Sequence, residues 1–156
     1  MARRPTRTRK IRKKAKEKLH DQTVEKIDRN PEIITETIGL TGAVLLAKEK
    51  GPELGMPGRE TIDNLLLFET ERTYEIVGVE VKAGYHRAGK GLYQLKLAKR
   101  FFKRSQYWSE WLRQRIIVIV KSKEVWLTLL LLQAEPLMEI KEMVVHMSRK
   151  KLGEIR

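Results

Sequence analysis

Two short runs separated by a polar turn constrain the fold most. Ile62-Asp63-Asn64-Leu65-Leu66-Leu67-Phe68 is apolar and strand-like. Glu75 to Lys82 alternates, with Val77, Val79 and Val81 on one side and Gly78, Glu80 and Lys82 on the other. Glu69-Thr70-Glu71-Arg72-Thr73-Tyr74 between them reads as a hairpin connection. If Phe68 faces Glu75, the same register sets Asp63 opposite Glu80. Opposed residues of an antiparallel pair share a face, with Cβ atoms roughly 4.5–5.5 Å apart. Two carboxylates that close repel unless a cation lies between them. A divalent metal and Lys82 are the candidates.

The chain has 156 residues, the size of one domain able to bury a core. Its net charge of +13 points to an anionic partner. Ten Lys/Arg and one Glu fall in residues 1–18. Residues 1–14 are therefore expected as a disordered basic arm that contacts phosphates through side chains such as Arg9 and Arg12, ahead of a single domain over 15–156. There is no cysteine, which excludes disulfides, thiol catalysis and thiolate zinc sites. The apolar runs are too short to span a bilayer, and the N-terminus lacks an apolar signal core. A cytoplasmic protein with no membrane partner is the expectation.

The remaining elements follow from periodicity and breakers. A polar helix is expected over Ala15–Asp28. A second should run from Pro31 to about Lys50, capped by Asn30 and ended by Gly51-Pro52. Glu32 and Glu36 sit one turn apart on it. Residues 84–91 form a Gly-containing basic loop with Arg87 and Lys90. Leu92 to Arg104 reads as an amphipathic helix, with Leu95, Ala98 and Phe102 inward and Lys96, Lys99, Arg100 and Lys103 outward, where with Arg87 and Lys90 of the loop they are expected to bind nucleic acid. Gln94 borders the inner side. A short helix is expected within Ser105–Trp111. Ile116-Ile117-Val118-Ile119-Val120 has the composition of a buried central strand, and Val125–Leu132 of another. Leu137, Ile140, Val144 and Met147 recur at helical spacing, predicting a last helix over about 135–152. The order is then α-β-β-α-β-β-α, an α/β fold with a mixed central sheet flanked by helices. Val125–Leu132, Tyr107–Trp111 and the last helix would supply either core or a two-fold homodimer interface.

An acid on one strand, with an acid and a lysine on the next, suits phosphodiester hydrolysis. Hard oxygen ligands hold Mg²⁺ with some of its waters. The metal activates water and polarises the phosphoryl group, while a lysine orients the nucleophile and offsets charge.

Ile62-Asp63, Glu80-Val81-Lys82 and Gln94 together resemble the PD-(D/E)xK nuclease superfamily, which includes RecB-type domains and archaeal Holliday-junction resolvases. The resemblance spans about residues 31–121 and implies a restriction-endonuclease-like sheet. It implies a Mg²⁺-dependent (or Mn²⁺-dependent) deoxyribonuclease acting on DNA. Asp63, Glu80 and the Val81 carbonyl would ligate metal, with Glu36, favoured narrowly over Glu32, added from the first helix. Lys82 would serve the attacking water and Gln94 would support the site. The chain departs from the family in having Ile62 for proline and Ala98 where RecB-like members carry tyrosine. Two other readings stay open: a non-catalytic nucleic-acid-binding module, and an ordinary domain in which Glu80 and Lys82 are a surface ion pair.

Overall fold

A computed structural model describes residues 7–51, 61–84, 88–104 and 107–156, with side chains in the first helix described from Lys10 onward. The described elements are α1 (Arg7–Arg29), α2 (Glu32–Ile38), β1 (Val44–Glu49), β2 (Asn64–Glu69), β3 (Thr73–Ala83), α3 (Ala88–Lys103), α4 (Tyr107–Arg113), β4 (Lys123–Ala134) and β5 (Val144–Ile155). The strands form one five-stranded mixed sheet in the order β1-β2-β3-β4-β5. Only β3 and β4 are parallel; the other neighbours are antiparallel. The fold is α/β, but the order is α-α-β-β-β-α-α-β-β rather than the expected α-β-β-α-β-β-α.

The alternation in β3 divides the core. Val77, Val79 and Val81 pack with Ile27 of α1, Ile34 of α2 and Leu130 and Leu132 of β4. Tyr74 and Ile76 pack on the other face with Leu95, Ala98 and Phe102 of α3 and Trp111 and Leu112 of α4. The expected inner side of α3 is therefore its buried side. The hairpin register also matches the expectation, because Phe68 pairs with Glu75 and Asn64 with Val79.

Four expectations are corrected. Residues 7–14 are the first two turns of α1, not part of an arm; consecutive Lys and Arg favour helix, and no Gly or Pro interrupts the run to Arg29. The helix expected over Pro31–Lys50 ends at Ile38, because Gly39 takes φ +74° and its N–H bonds back to the Thr35 carbonyl. That left-handed cap suits glycine, and the β-prone run after Gly42 pairs with β2 as β1. Ile116–Val120 is not a strand. Ile116 and Ile119 pack on the α3-side core, while Ile117, Val118 and Val120 are exposed. The place beside β3 goes to β4, whose residues pair along all of β3 from Thr73 to Ala83. The last helix is replaced by a turn at Pro136-Leu137, a 3-10 turn over Ile140–Glu142 and β5. A strand there covers the edge that the apolar β4 would otherwise expose. Val125–Leu132 and Trp111, left open as core or dimer interface, belong to the core. Among the described residues no helix is long and apolar enough to cross a membrane.

Candidate active site

The carboxylates meet where the hairpin ladder opens. β2 and β3 pair regularly down to Asn64 and Val79. Beyond that point the Ile62 carbonyl turns to accept from the Gly51 N–H at 3.1 Å. The Val81 N–H instead donates to Asp63 Oδ2 at 2.8 Å. A side-chain oxygen thus replaces a ladder acceptor, which fixes Asp63 at the end of the sheet. Its other oxygen, Oδ1, lies 3.2 Å from His20 Nε2 of α1. The paired carboxylate pushes the His20 pKa up to about 9, against the opposing effect of burial.

Glu80 lies on the α3 side of β3 and is almost wholly buried. Lys82, two residues on and on the same face, sets its Nζ 3.2 Å from Glu80 Oε1. Glu80 Oε2 has no hydrogen-bond partner. Burial and, next, the Asp63 charge push the Glu80 pKa up to about 8; Lys82 pulls the other way but does not prevail. Desolvation and a like charge together hold this carboxyl toward its neutral form.

Gln94 is buried, and its Oε1 also lacks a partner. The helix approaches the site closely one turn earlier: a Cβ on Gly91 would lie 3.3 Å from Lys82 Cγ and 2.5 Å from Leu131. Gln133 of β4 stands beside Lys82 in the parallel ladder, so their side chains share a face. Its buried Nε2 is likewise unpartnered.

A cleft of about 750 Å³ opens between α1 and the end of β3. Arg12, Lys13, Lys16, Glu17, His20, Asp21 and residues 81–84 line it. Lys16 lies across Gly84, whose φ of +97° turns the chain out of β3. Four of these side chains carry fixed positive charge, so an anion entering the cleft meets a favourable field.

The structure brings together Asp63, Glu80, Val81 and Lys82, with Gln94 on the adjoining helix. It does not bring Glu36 or Glu32 to them: both lie on α2, which packs against the 3-10 turn. The glutamate at the cleft is Glu17, because α1 rather than α2 crosses the sheet there. Arg12 lines the cleft. Lys90, Lys96, Arg100 and Lys103 are exposed on α3, with Lys99 half-buried. Arg87 and the side chain of Arg9 lie outside the described residues.

His20, Glu17 and Gln133 are the residues that sequence reasoning missed. A signal existed for His20 in the helical spacing that sets it one turn before the buried Thr23 and the half-buried Val24. For Gln133 it was a polar residue closing an apolar strand.

The open oxygens here are of the type that a hard divalent cation takes, although both Asp63 oxygens already have partners. Glu80 Oε2 and Gln94 Oε1 are buried oxygens without partners, and Asp63 adds a second carboxylate. Mg²⁺ is commonly held by one or two carboxylates and completes its shell with water. Among the described residues no group of three or more His, Asp or Glu is arranged to hold a metal. Comparison with protein-family models, curated proteins and solved structures gave no match.

Proposed function

We propose that the chain is a metal-dependent deoxyribonuclease of the PD-(D/E)xK type, with a restriction-endonuclease-like sheet. The observation that carries this reading is Glu80: a buried carboxylate with one free oxygen, beside Asp63 and within 3.2 Å of Lys82. Two acids set side by side in a buried place favour the fold poorly unless a proton or a cation lies between them.

In this reading Asp63 and Glu80 hold Mg²⁺ or Mn²⁺, which supplies charge stabilisation and lowers the pKa of water. Val81 fixes Asp63 through its N–H, and its own carbonyl is the natural third oxygen. His20 anchors the far oxygen of Asp63, so the carboxylate cannot rotate away. Lys82 orients the attacking water and offsets negative charge as the phosphorus–oxygen bond to the leaving strand breaks. Gln94 and Gln133 furnish an acceptor and a donor beside Lys82. The basic residues of α1 line the approach and draw in the phosphate backbone.

The second reading, a non-catalytic DNA-binding module, has one observation in its favour: both Asp63 oxygens are already engaged. Incubation of plasmid and linear DNA with Mg²⁺ or Mn²⁺ separates the two. The nuclease reading expects metal-dependent cleavage that Glu80→Ala and Lys82→Ala abolish. Salt-sensitive binding without cleavage at any metal concentration would leave the module.

A further inference from the structure

We propose that Lys99, Lys103 and Lys150 form a distal contact for the backbone of a DNA duplex whose scissile phosphate lies at Lys82. The proposal rests on the nuclease reading for its near end, while the contact itself stands on the arrangement of the three lysines.

Lys99 and Lys103 are one helical turn apart and share a face of α3. Lys150 comes from β5, opposite Leu127, whose side chain packs in the α3-side core. Its side chain lies on the sheet face that α3 covers, close enough to Lys103 for the two charges to repel. Repulsion from Lys150, and more weakly from Lys99, pushes the Lys103 pKa down to about 8.

Three other lysines of the sheet are neutralised locally, while Lys48 donates to the Asp28 backbone carbonyl. Lys82 pairs with Glu80, Lys123 with Glu69, and Lys151 with Glu124 and Glu154. Among the described residues no carboxylate serves Lys99, Lys103 or Lys150. Crowded cations on an exposed ridge, adjacent to a strand where the next lysine is paired twice, are what an external phosphate would relieve.

The spacing suits a duplex backbone. Gly91 abuts Lys82, and Lys103 lies twelve residues further along α3. At 1.5 Å rise per residue that is about 18 Å. DNA rises about 3.4 Å per base pair, so the triad lies about five base pairs from the site. Lys96 and Arg100, exposed on the same helix, fill the interval. A duplex arm running along α3 therefore touches the protein at both ends of the helix.

The test is binding of a 14-base-pair duplex, read by fluorescence anisotropy in Ca²⁺ across a salt series. Replacing all three lysines (Lys99→Gln, Lys103→Gln, Lys150→Gln) should flatten log Kd against log salt by about 2–3, since each lost phosphate contact removes about 0.9. Affinity for a tetranucleotide, too short to reach from cleft to triad, should change less than about twofold. A charge-matched control at Lys26, Lys121 and Lys141 should keep the wild-type slope. An unchanged slope in the triad variant, or equal losses on the duplex and the tetranucleotide, overturns the proposal. Because no turnover is needed, a wild type that binds with this slope but never cleaves counts against the nuclease reading and not against the contact.

Discussion

Replacing Glu80 with glutamine should remove most of the pH dependence that the site imposes on folding. The carboxyl titrates near 4.5 when exposed and at about 8 in the folded chain. The folded state therefore binds the proton more tightly, and stability falls as pH rises between those values. At about 1.4 kcal/mol per pH unit, the loss between pH 5 and pH 8 is about 2–4 kcal/mol. For a chain of this size that corresponds to roughly 5–12 °C in Tm. A glutamine side chain has no charge to bury, so Glu80→Gln should lack this component. His20 contributes a slope of the same sign, but it is common to both proteins and cancels in their difference. The attraction to Lys82 is already contained in the Glu80 pKa of about 8, so it adds no separate pH dependence. The informative quantity is thus the wild-type-minus-variant difference at pH 8 compared with pH 5, from urea unfolding followed by circular dichroism. Adding Mg²⁺ or Mn²⁺ at pH 8 should restore the wild type and leave the variant unmoved. If the difference is the same at both pH values, Glu80 is not held protonated by its surroundings, and the reasoning fails.

Other outcomes test the surrounding framework. His20→Gln should cost about 1–2 kcal/mol at pH 6, allowing for partial exposure of the ring. The His20 pKa is raised from 6.5 to about 9, so this contribution is complete below pH 6.5 and is lost as pH rises through 9. Unfolding curves that differ equally at pH 6 and pH 10 would contradict the Asp63 pairing. Arg149→Ala should cost about 2–4 kcal/mol, because it strands a buried carboxylate. Arg149 holds Glu75 with two nitrogens at 2.8 and 3.1 Å and stacks over Trp126. The double variant Arg149→Ala/Glu75→Gln should recover part of that loss in thermal unfolding; no recovery would mean that the stacking, not the charge, matters.

The hairpin was legible in the sequence because its two signals are local: strict alternation in β3 and a polar turn of fixed length. Together they fix the register that brings Asp63 to Glu80. The α3 assignment rested on the same kind of evidence, a continuous helical period. What misled was composition read without its partners. Ile116–Val120 and the 137–147 spacing each fit an element, yet strand pairing is decided by which edges remain open, and β4 and β5 took them. The spacing of Leu137, Ile140, Val144 and Met147 was coincidental, for only Ile140 of the four is buried. Glu17 was unreadable as a site residue because nothing local tells which helix crosses the end of the sheet, whereas His20 carried only its helical spacing to Thr23 and Val24. Gly39 and Gly42 did announce that α2 was short: both adopt positive φ, a conformation that ends a helix.

The most direct measurement is cleavage of supercoiled plasmid over time by wild type, Glu80→Gln and Lys82→Ala, each with Mg²⁺, with Mn²⁺ and with EDTA. The assignment predicts nicked and linear products from the wild type only when metal is present, and a loss of at least about 100-fold in either variant, comparable to removing one preorganised charge-stabilising group. Cleavage that persists in the variants, or a wild type that binds the plasmid and leaves it intact, would contradict it.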